Sequence, residues 1–221
     1  VCDVTTLGKM DVQGADAGAF LNKIYCNGFA KLDVGKTRYG LMLREDGIAM
    51  DDGTAARLAV DHFVVTTTTA NAVGVYRHME FARQALWPDM DVQLISTTES
   101  WAQYAVAGPN ARNLLRKIVD AGFDISNEAF PFMACGAITV CGGLRARLFR
   151  ISFSGELAYE IAVPTRYGDA MIRALIEAGE EFGGCAYGTE ALGVIRIEKG
   201  HVAGNELNGT TTAFNLEMGQ M

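Results

Sequence analysis

Arg38-Tyr-Gly-Leu-Met-Leu-Arg-Glu-Asp-Gly-Ile-Ala-Met-Asp-Asp-Gly-Thr54 is the stretch from which the fold is read. Tyr39, Leu41 and Leu43 alternate with Arg38, Gly40 and Met42, the period of a half-buried strand. Glu45-Asp46-Gly47 combines turn-forming side chains with a glycine, so the chain can reverse there. Ile48-Ala-Met50 returns as an apolar strand and runs into Asp51-Asp52-Gly53. Neighbouring strand residues face opposite ways, so the pattern predicts one aspartate inward and the other toward solvent. An inward carboxylate needs hydrogen bonds, a counter-charge or an altered pKa. An ordinary acidic turn at the strand end is the competing reading, and local chemistry leaves both open.

Outward from this hairpin, hydrophobic residues make up 49% of the 221 residues and charged residues 20%, which predicts a folded globular chain rather than a disordered one. The net charge of -7 argues against a general binder of nucleic acid or anionic membranes. No apolar run reaches the ~20 residues of a membrane span, and Val1-Cys-Asp-Val has none of the features of a signal peptide. The five cysteines are scattered without CxxC spacing and far from the three histidines, so neither a disulfide framework nor a metal site is expected. A reducing compartment, the cytoplasm, fits that usage. The opening residues read as mid-structure, so a segment of a longer polypeptide is expected.

Along the chain, Val4 to Val12 reads as a strand interrupted at Leu7-Gly8-Lys9. Asp16 is the expected N-cap of a helix burying Phe20, Leu21 and Ile24, with Asn27-Gly28 ending it. Phe63 to Thr68 is strongly β-prone. A helix is expected over 70–85, with Val73, Tyr76, Met79 and Phe81 as core positions. Val106-Ala-Gly108-Pro-Asn110-Ala111 followed by Leu115 and Ile118 repeats Val12-Gln-Gly14-Ala-Asp16-Ala17 followed by Leu21 and Ile24, at an offset of 94 positions. Tyr159 to Val163 and the helix expected over 167–182 stand to Phe63-Val-Val-Thr and its helix in the same way. The expectation is an α+β protein of antiparallel sheets with packed helices, in two duplicated modules, 1–105 and 106–221. A hairpin around Gly142-Gly143 would carry Arg145, Arg147 and Arg150 on its second strand. Glu190 to Lys199 reads as a helix stopped by Gly200. The segment from His201 onward is rich in glycine and threonine and shows little pattern.

No GxGxxG follows a strand, and no Walker loop, GxSxG or HExxH is present. Half of the four hydroxyls of Thr66 to Thr69 are expected to cap the following helix. The remaining candidates are carboxylates near apolar strands: Asp51, Asp52 and Glu160. Glu160 points opposite to Tyr159 and Ile161. On a buried face it would need a donor and would suit a flat heterocycle with adjacent N–H groups; on a wet face it is an ordinary surface glutamate.

Asp3-Val-Thr-Thr-Leu-Gly-Lys, Gly14-Ala-Asp16 to Leu21, Tyr39-Gly-Leu-Met-Leu, Asp51-Asp52-Gly53, Ser154-Gly-Glu-Leu-Ala-Tyr-Glu160-Ile and Arg196-Ile-Glu-Lys-Gly200 occur in that order. Together they resemble the folate-binding aminomethyltransferase family, that of the glycine-cleavage T-protein. Thr66-Thr-Thr-Thr-Ala-Asn, Leu157 in Ser154-Gly-Glu-Leu, and Tyr187-Gly-Thr-Glu-Ala-Leu-Gly are most similar to its sarcosine oxidase branch, the C-terminal half of the α subunit of the heterotetrameric type. The resemblance implies bound tetrahydrofolate, with Tyr39 packing on it and Thr66 and Thr67 among its contacts. It implies Glu160 on the pterin, Arg196 near the aminobenzoyl-glutamate, and Asp52 toward the reacting nitrogen with Asp51 orienting it. Flavin and NAD would lie in other domains or subunits of a hetero-oligomer, and the substrates would be the folate and an iminium derived from sarcosine. A stand-alone aminomethyltransferase and a non-catalytic folate binder are the alternatives.

Overall fold

Two stretches far apart in sequence, Thr6–Thr98 and Val202–Met221, fold into one unit, and Val1–Thr5 joins Glu99–His201 in a second. The computed structural model describes residues 1–220. In chain order the elements are β1 (Cys2–Asp3), β2 (Gly8–Gln13), α1 (Ala17–Ile24), β3 (Thr37–Leu43), β4 (Ala49–Ala59), β5 (His62–Thr67), α2 (Ala72–Phe81), β6 (Gln93–Ser96), β7 (Trp101–Ala107), α3 (Ala111–Arg116), β8 (Cys135–Val140), β9 (Leu144–Phe149), β10 (Ala158–Pro164), α4 (Gly168–Gly179) and α5 (Thr189–Lys199). Among the described residues no helix is long and apolar enough to cross a membrane.

The sheet of the first unit runs β3-β4-β5-β2-β6, every neighbour antiparallel. Its core gathers Phe20, Leu21 and Ile24 of α1, Val75 and Met79 of α2, and Met10, Val12, Phe63 and Val65 of the sheet. The expected hairpin is present: Gly47 has φ +80, and the Arg44 N–H donates to the Ile48 carbonyl at 2.8 Å. A separate cluster joins Leu41 and Ala49 to Leu207, with Val202, Leu216 and Met218 packed on it. The segment from 202 that showed little pattern is therefore the apolar cover of the β3–β4 hairpin, tied by the Ala49 N–H to the Thr211 carbonyl at 2.8 Å.

The sheet of the second unit runs β1-β7-β10-β9-β8, again antiparallel. Position for position this is the order of the first sheet read from β6 to β3, as the internal repeat predicts. The paired turns agree in detail: Gly14 and Gly108 have φ +127 and +123, a region open to glycine, and Asp16 and Asn110 both sit near φ -96, ψ 5. The boundaries differ from 1–105 and 106–221. In the first unit the edge beside β2 is filled by β6, which follows α2. In the second, the matching edge beside β7 is filled by β1, from the start of the chain.

Several local expectations are corrected. Val73 and Phe81 are 62% and 57% exposed, whereas Met79 is buried as expected and is joined one turn earlier by Val75, with Tyr76 packed against the same core. Asp16 stands at the helix start but makes no capping bond, because its Oδ2 accepts the Asp91 N–H at 2.9 Å. No threonine of 66–69 caps α2, whose N-cap is Asn71. Asp51-Asp52-Gly53 is not a turn: all three lie inside the 11-residue β4, opposite Met42, Leu41 and Gly40.

Gly53 lies directly against β5. A Cβ there would lie 1.9 Å from the Thr66 carbonyl oxygen, so no side chain fits without separating the strands. On exposed α2, Gly74 has nothing within 4 Å of its Cβ position. Gly53→Ala is expected to lower unfolding stability by at least about 2 kcal/mol through overpacking. Gly74→Ala should raise it by about 0.5–1 kcal/mol through helix propensity. Urea midpoints of the two variants check the pair, and a neutral Gly53→Ala would refute the close approach.

Candidate functional site

β4 alternates, and its two aspartates therefore leave the sheet on opposite sides. Asp51 is 2% exposed. Its carboxylate accepts the Thr68 hydroxyl at 2.6 Å, the Thr68 N–H at 3.1 Å and the Asn71 amide at 3.2 Å. These donors lie in the turn between β5 and α2, where a negative charge also faces a helix start. Burial raises the Asp51 pKa from its ordinary value, and the Thr68 and Asn71 bonds oppose the rise.

The threonine run explains itself from the same geometry. The β4–β5 ladder runs no further than Ala55 opposite Val65. Past that point the Thr54 N–H donates to Thr66 Oγ1 at 3.0 Å, and Asp51 takes Thr68. Thr67 is buried, with its hydroxyl donating to the Thr68 carbonyl at 2.9 Å. The hydroxyls of Thr66 and Thr67 thus serve the sheet and the turn.

Asp52 lies on the other face, half-buried, and the expectation that one aspartate would point into solvent does not hold. Leu41 is directly opposite Asp52, and Tyr39 is opposite Thr54, so Tyr39 and Asp52 are diagonal cross-strand neighbours. A tyrosine spans that diagonal, and its hydroxyl donates to Asp52 Oδ2 at 2.9 Å. Leu41 on this face is covered by the 202–218 segment, and Met218 Sδ lies 3.9 Å from the Tyr39 hydroxyl. Burial is the largest cause pushing the Asp52 pKa up to about 6; the Tyr39 bond holds it down, and the charges of Asp51 and Glu206 add to the rise. Tyr39, not Asp51, orients Asp52. Asp51 acts on it only through charge.

Glu160 and Arg196 belong to the second unit. β10 is buried on both faces: Tyr159 and Ile161 at 0% on one, Glu160 at 8% on the other. The wet-face reading of Glu160 is thereby excluded. Its carboxylate accepts the amide of Gln103, a residue of β7 that is itself 1% exposed. Tyr187, which precedes α5, brings a buried hydroxyl with no hydrogen-bond partner among the described residues. Burial, then the Cys2 thiol, then the Glu160 carboxylate push that phenol up to about 12. Nothing in the local pattern marks the Tyr187 hydroxyl as buried, since the residue stands in a loop beside Gly188. Arg196 is half-buried on α5, and its Nη1 donates to the His201 carbonyl at 3.0 Å.

A surface cleft of about 310 Å³ on the first unit is lined by Lys23, Trp87 and Pro88, and one of about 350 Å³ on the second by Arg150, Lys199 and His201. Neither is lined by Tyr39, Asp51, Asp52 or Glu160. Among the described residues no cluster of three or more His, Cys, Asp or Glu is placed to hold a metal ion.

The raised pKa of Asp52 has a stability consequence. A carboxyl with a folded pKa near 6 and an unfolded one near its ordinary value of 3.8 favours the folded state fully below the lower value. That contribution is lost as pH rises through the higher one. Asp52→Asn is therefore expected to be more stable than the parent at pH 7.5, by up to about 3 kcal/mol. At pH 3.5 the gain should be gone. Thermal unfolding of both proteins across this range checks it, and a gain independent of pH would contradict the assignment.

Compared with known proteins, residues 1–221 match the family model for the GCVT N-terminal domain. The chain is 57% identical over 222 residues to the sarcosine oxidase subunit alpha of Rhizobium meliloti (strain 1021), covering 100% of the chain and 22% of that protein. Among solved structures, the glycine cleavage system aminomethyltransferase T from Bartonella henselae matches with a TM-score of 0.80 at 24% identity, over 96% of this chain and 54% of that one. The heterotetrameric sarcosine oxidase from Corynebacterium sp. U-96, in complex with pyrrole 2-carboxylate, matches with a TM-score of 0.62 at 17% identity, over 83% of this chain and 84% of that one. At those identities the two structures establish a shared fold. The chain spans about a fifth of the length of the sarcosine oxidase subunit that it matches.

Proposed function

The chain belongs to the GCVT N-terminal domain family, and from that premise we propose that it is the tetrahydrofolate-dependent one-carbon-transfer part of a sarcosine oxidase α subunit. The observation that carries the chemistry is Asp52: a half-buried carboxylate, oriented by a tyrosine, with a pKa pushed up to about 6. Identity along the whole chain to a sarcosine oxidase subunit favours this reading over a stand-alone aminomethyltransferase, which the shared fold keeps as the second reading.

The residues fit a reduced folate. A buried carboxylate at Glu160 and the unpartnered Tyr187 hydroxyl are the kind of pair a flat heterocycle bearing N–H and carbonyl groups would satisfy. Bound tetrahydrofolate would supply the nucleophilic nitrogen for the iminium CH2=NH+–CH2–COO−, formed from sarcosine at a flavin elsewhere, with glycine and 5,10-methylenetetrahydrofolate as products. Asp52 accepts the proton that the attacking nitrogen must lose. With its pKa near 6 it is ionised at neutral pH yet close to the working range, the condition for an efficient general base. The Tyr39 hydroxyl fixes the rotamer of Asp52 through Oδ2. Asp51 holds β4 to the β5–α2 turn, and Thr66 and Thr67 keep that edge in shape. Glu160 accepts from the pterin N–H groups, and Arg196 serves the aminobenzoyl-glutamate. The apolar cover from 202 to 218 keeps water from the Asp52 face of the hairpin, which favours transfer over hydrolysis to formaldehyde. In this reading the chain works with the other subunits of a cytoplasmic hetero-oligomer, in which flavin and NAD are bound outside this segment.

Asp52→Asn keeps the size and most hydrogen bonds of the side chain but removes the charge. In the assembled oxidase it is expected to leave sarcosine oxidation near normal and to slow one-carbon transfer on the order of 10²–10⁴-fold. The product would shift from methylene-folate to formaldehyde. In the parent, transfer should rise with pH through about 6. The ratio of formaldehyde to methylene-folate at saturating folate reads this, and an unchanged ratio would remove Asp52 from the chemistry.

Glu160→Gln tests the binding half separately. Folate affinity by calorimetry should fall by about 1.5–3 kcal/mol, the range for a hydrogen bond to a charged group. Undiminished affinity in a folded variant would take Glu160 out of the site.

A further inference from the structure

We propose that Met218 is an oxidation site, whose conversion to methionine sulfoxide by hydrogen peroxide opens the apolar cover over the Tyr39–Asp52 pair. The modification stands on packing alone; its effect on the reaction rests on the one-carbon-transfer reading above. Met218 Sδ lies 3.9 Å from the Tyr39 hydroxyl, which donates to Asp52 Oδ2 at 2.9 Å. A thioether sulfur is a weak acceptor, and the single hydrogen of the phenol already goes to the carboxylate. Met218 is therefore an apolar neighbour of the pair, not a third member of a hydrogen-bonded chain.

Exposure separates this sulfur from most of the others. Met10, Met42, Met79 and Met171 are at most 1% exposed, inside the cores of the two units. Met50, Met90, Met133 and Met218 are half-buried, so solvent reaches them. Met133 belongs to the second unit, and Met50 and Met90 pack on the helix-side core. Met218 packs on Leu41, Ala49 and Leu207, on the face of the hairpin that carries the pair. The backbone there is held by local bonds. The Met218 N–H donates to the Ala213 carbonyl at 2.9 Å, and Glu217 has φ +58, a left-handed conformation unfavourable for a residue with a Cβ. From 202 to 218 the cover has no helix longer than the single turn at Gly204–Glu206. Apolar packing and a bridge from Thr212 to Ile48 hold it on the hairpin. Segments of this kind open at a small free-energy cost.

The chemical step moves one oxygen atom. The sulfur lone pair attacks a peroxide oxygen, an S–O bond forms as the O–O bond breaks, and the other oxygen leaves as water after a proton shift. Sulfur loses two electrons and peroxide gains them. The oxidant comes with the proposed activity, since dioxygen that accepts the two electrons taken from sarcosine leaves as hydrogen peroxide. The product carries a polar S–O group where a thioether packed on the Leu41–Ala49–Leu207 cluster. A polar group without a partner is costly in such a place, and hydrating it lifts the cover. Water then reaches Asp52, and the iminium is hydrolysed instead of captured. Methionine sulfoxide reductase reverses the change.

Treatment of the full chain with hydrogen peroxide, then catalase, then peptide mass analysis tests the site. Met218 should oxidise at least about tenfold faster than Met10, Met42, Met79 or Met171, whose sulfurs are reached only when a core opens. The Ala49 N–H, bonded to the Thr211 carbonyl, reports opening of the cover through amide exchange. Its exchange should quicken about tenfold in the oxidised parent and stay at its starting value in treated Met218→Leu, which keeps the apolar volume. Met218→Gln, a polar side chain of similar length, should show the faster exchange without peroxide. In the assembled oxidase the same treatment should raise the ratio of formaldehyde to methylene-folate in the parent and not in Met218→Leu, and methionine sulfoxide reductase should restore it. A Met218 that stays reduced, or Ala49 exchange that quickens equally in Met218→Leu, would overturn the proposal. Untreated enzyme with no folate-dependent transfer would instead refute the one-carbon reading, and the exchange measurement would still decide the oxidation site.

Discussion

Two adjacent carboxylates on one strand cannot share a face, and most of the first unit follows from that constraint. Asp51 leaves β4 on the helix side and takes three donors from the β5–α2 turn. Asp52 leaves on the opposite side and meets one tyrosine hydroxyl. The same residue type, one position apart, thus becomes an anchor in one case and a poised base in the other. The donor count separates them: the Thr68 and Asn71 bonds oppose the rise that burial causes at Asp51, whereas Asp52, with one side-chain donor and the charges of Asp51 and Glu206 nearby, is pushed up to about 6.

Burial on both sides of the hairpin comes from different parts of the chain. α1 and α2 cover one face, and the segment from 202 covers the other by packing Leu207 on Leu41 and Ala49. Without that returning segment the Tyr39–Asp52 pair would stand in water, where a carboxylate titrates near its ordinary value. The perturbed group in the first unit is therefore a product of a long-range contact, although the residues that touch it directly are neighbours in a local hairpin.

The duplicated sheets show how a repeated unit is completed by what lies nearest. Both need a strand beside the one that precedes the Gly-turn helix. In the first unit β6 supplies it after α2; in the second β1 supplies it from the opposite end of the chain. Each exchange closes a sheet edge that would otherwise carry unpaired N–H and carbonyl groups. The same closure buries Cys2 beside β7, and Cys2 and Glu160 add to the burial that raises the Tyr187 pKa.

The alternation in Tyr39 to Met50, the Gly47 turn, the repeat at an offset of 94 and the Gly200 stop are local signals, and each was legible from residue order alone. So was the family resemblance, because the side chains that carry it occur in a fixed sequence. Other features depended on what packs from elsewhere in the chain. The period of a strand says that Asp51 and Asp52 differ, but not which face is covered or by what. It says that Glu160 opposes Tyr159, but not that Gln103 of β7 waits on that side. The helix over 72–81 and the burial of Met79 were foreseeable, yet the rest of the buried stripe fell on Val75 rather than Val73 and Phe81 because the sheet beneath selected that face. The threonine run looked like capping material until the end of the β4–β5 ladder gave its hydroxyls other partners. Sequence determined the elements, their repeat and the chemical inventory, since these follow from interactions within a few residues; tertiary structure alone decided burial, and with it the partners of the candidate groups and the raised pKa values of Asp51 and Asp52, because desolvation depends on chain segments that sequence spacing does not reveal.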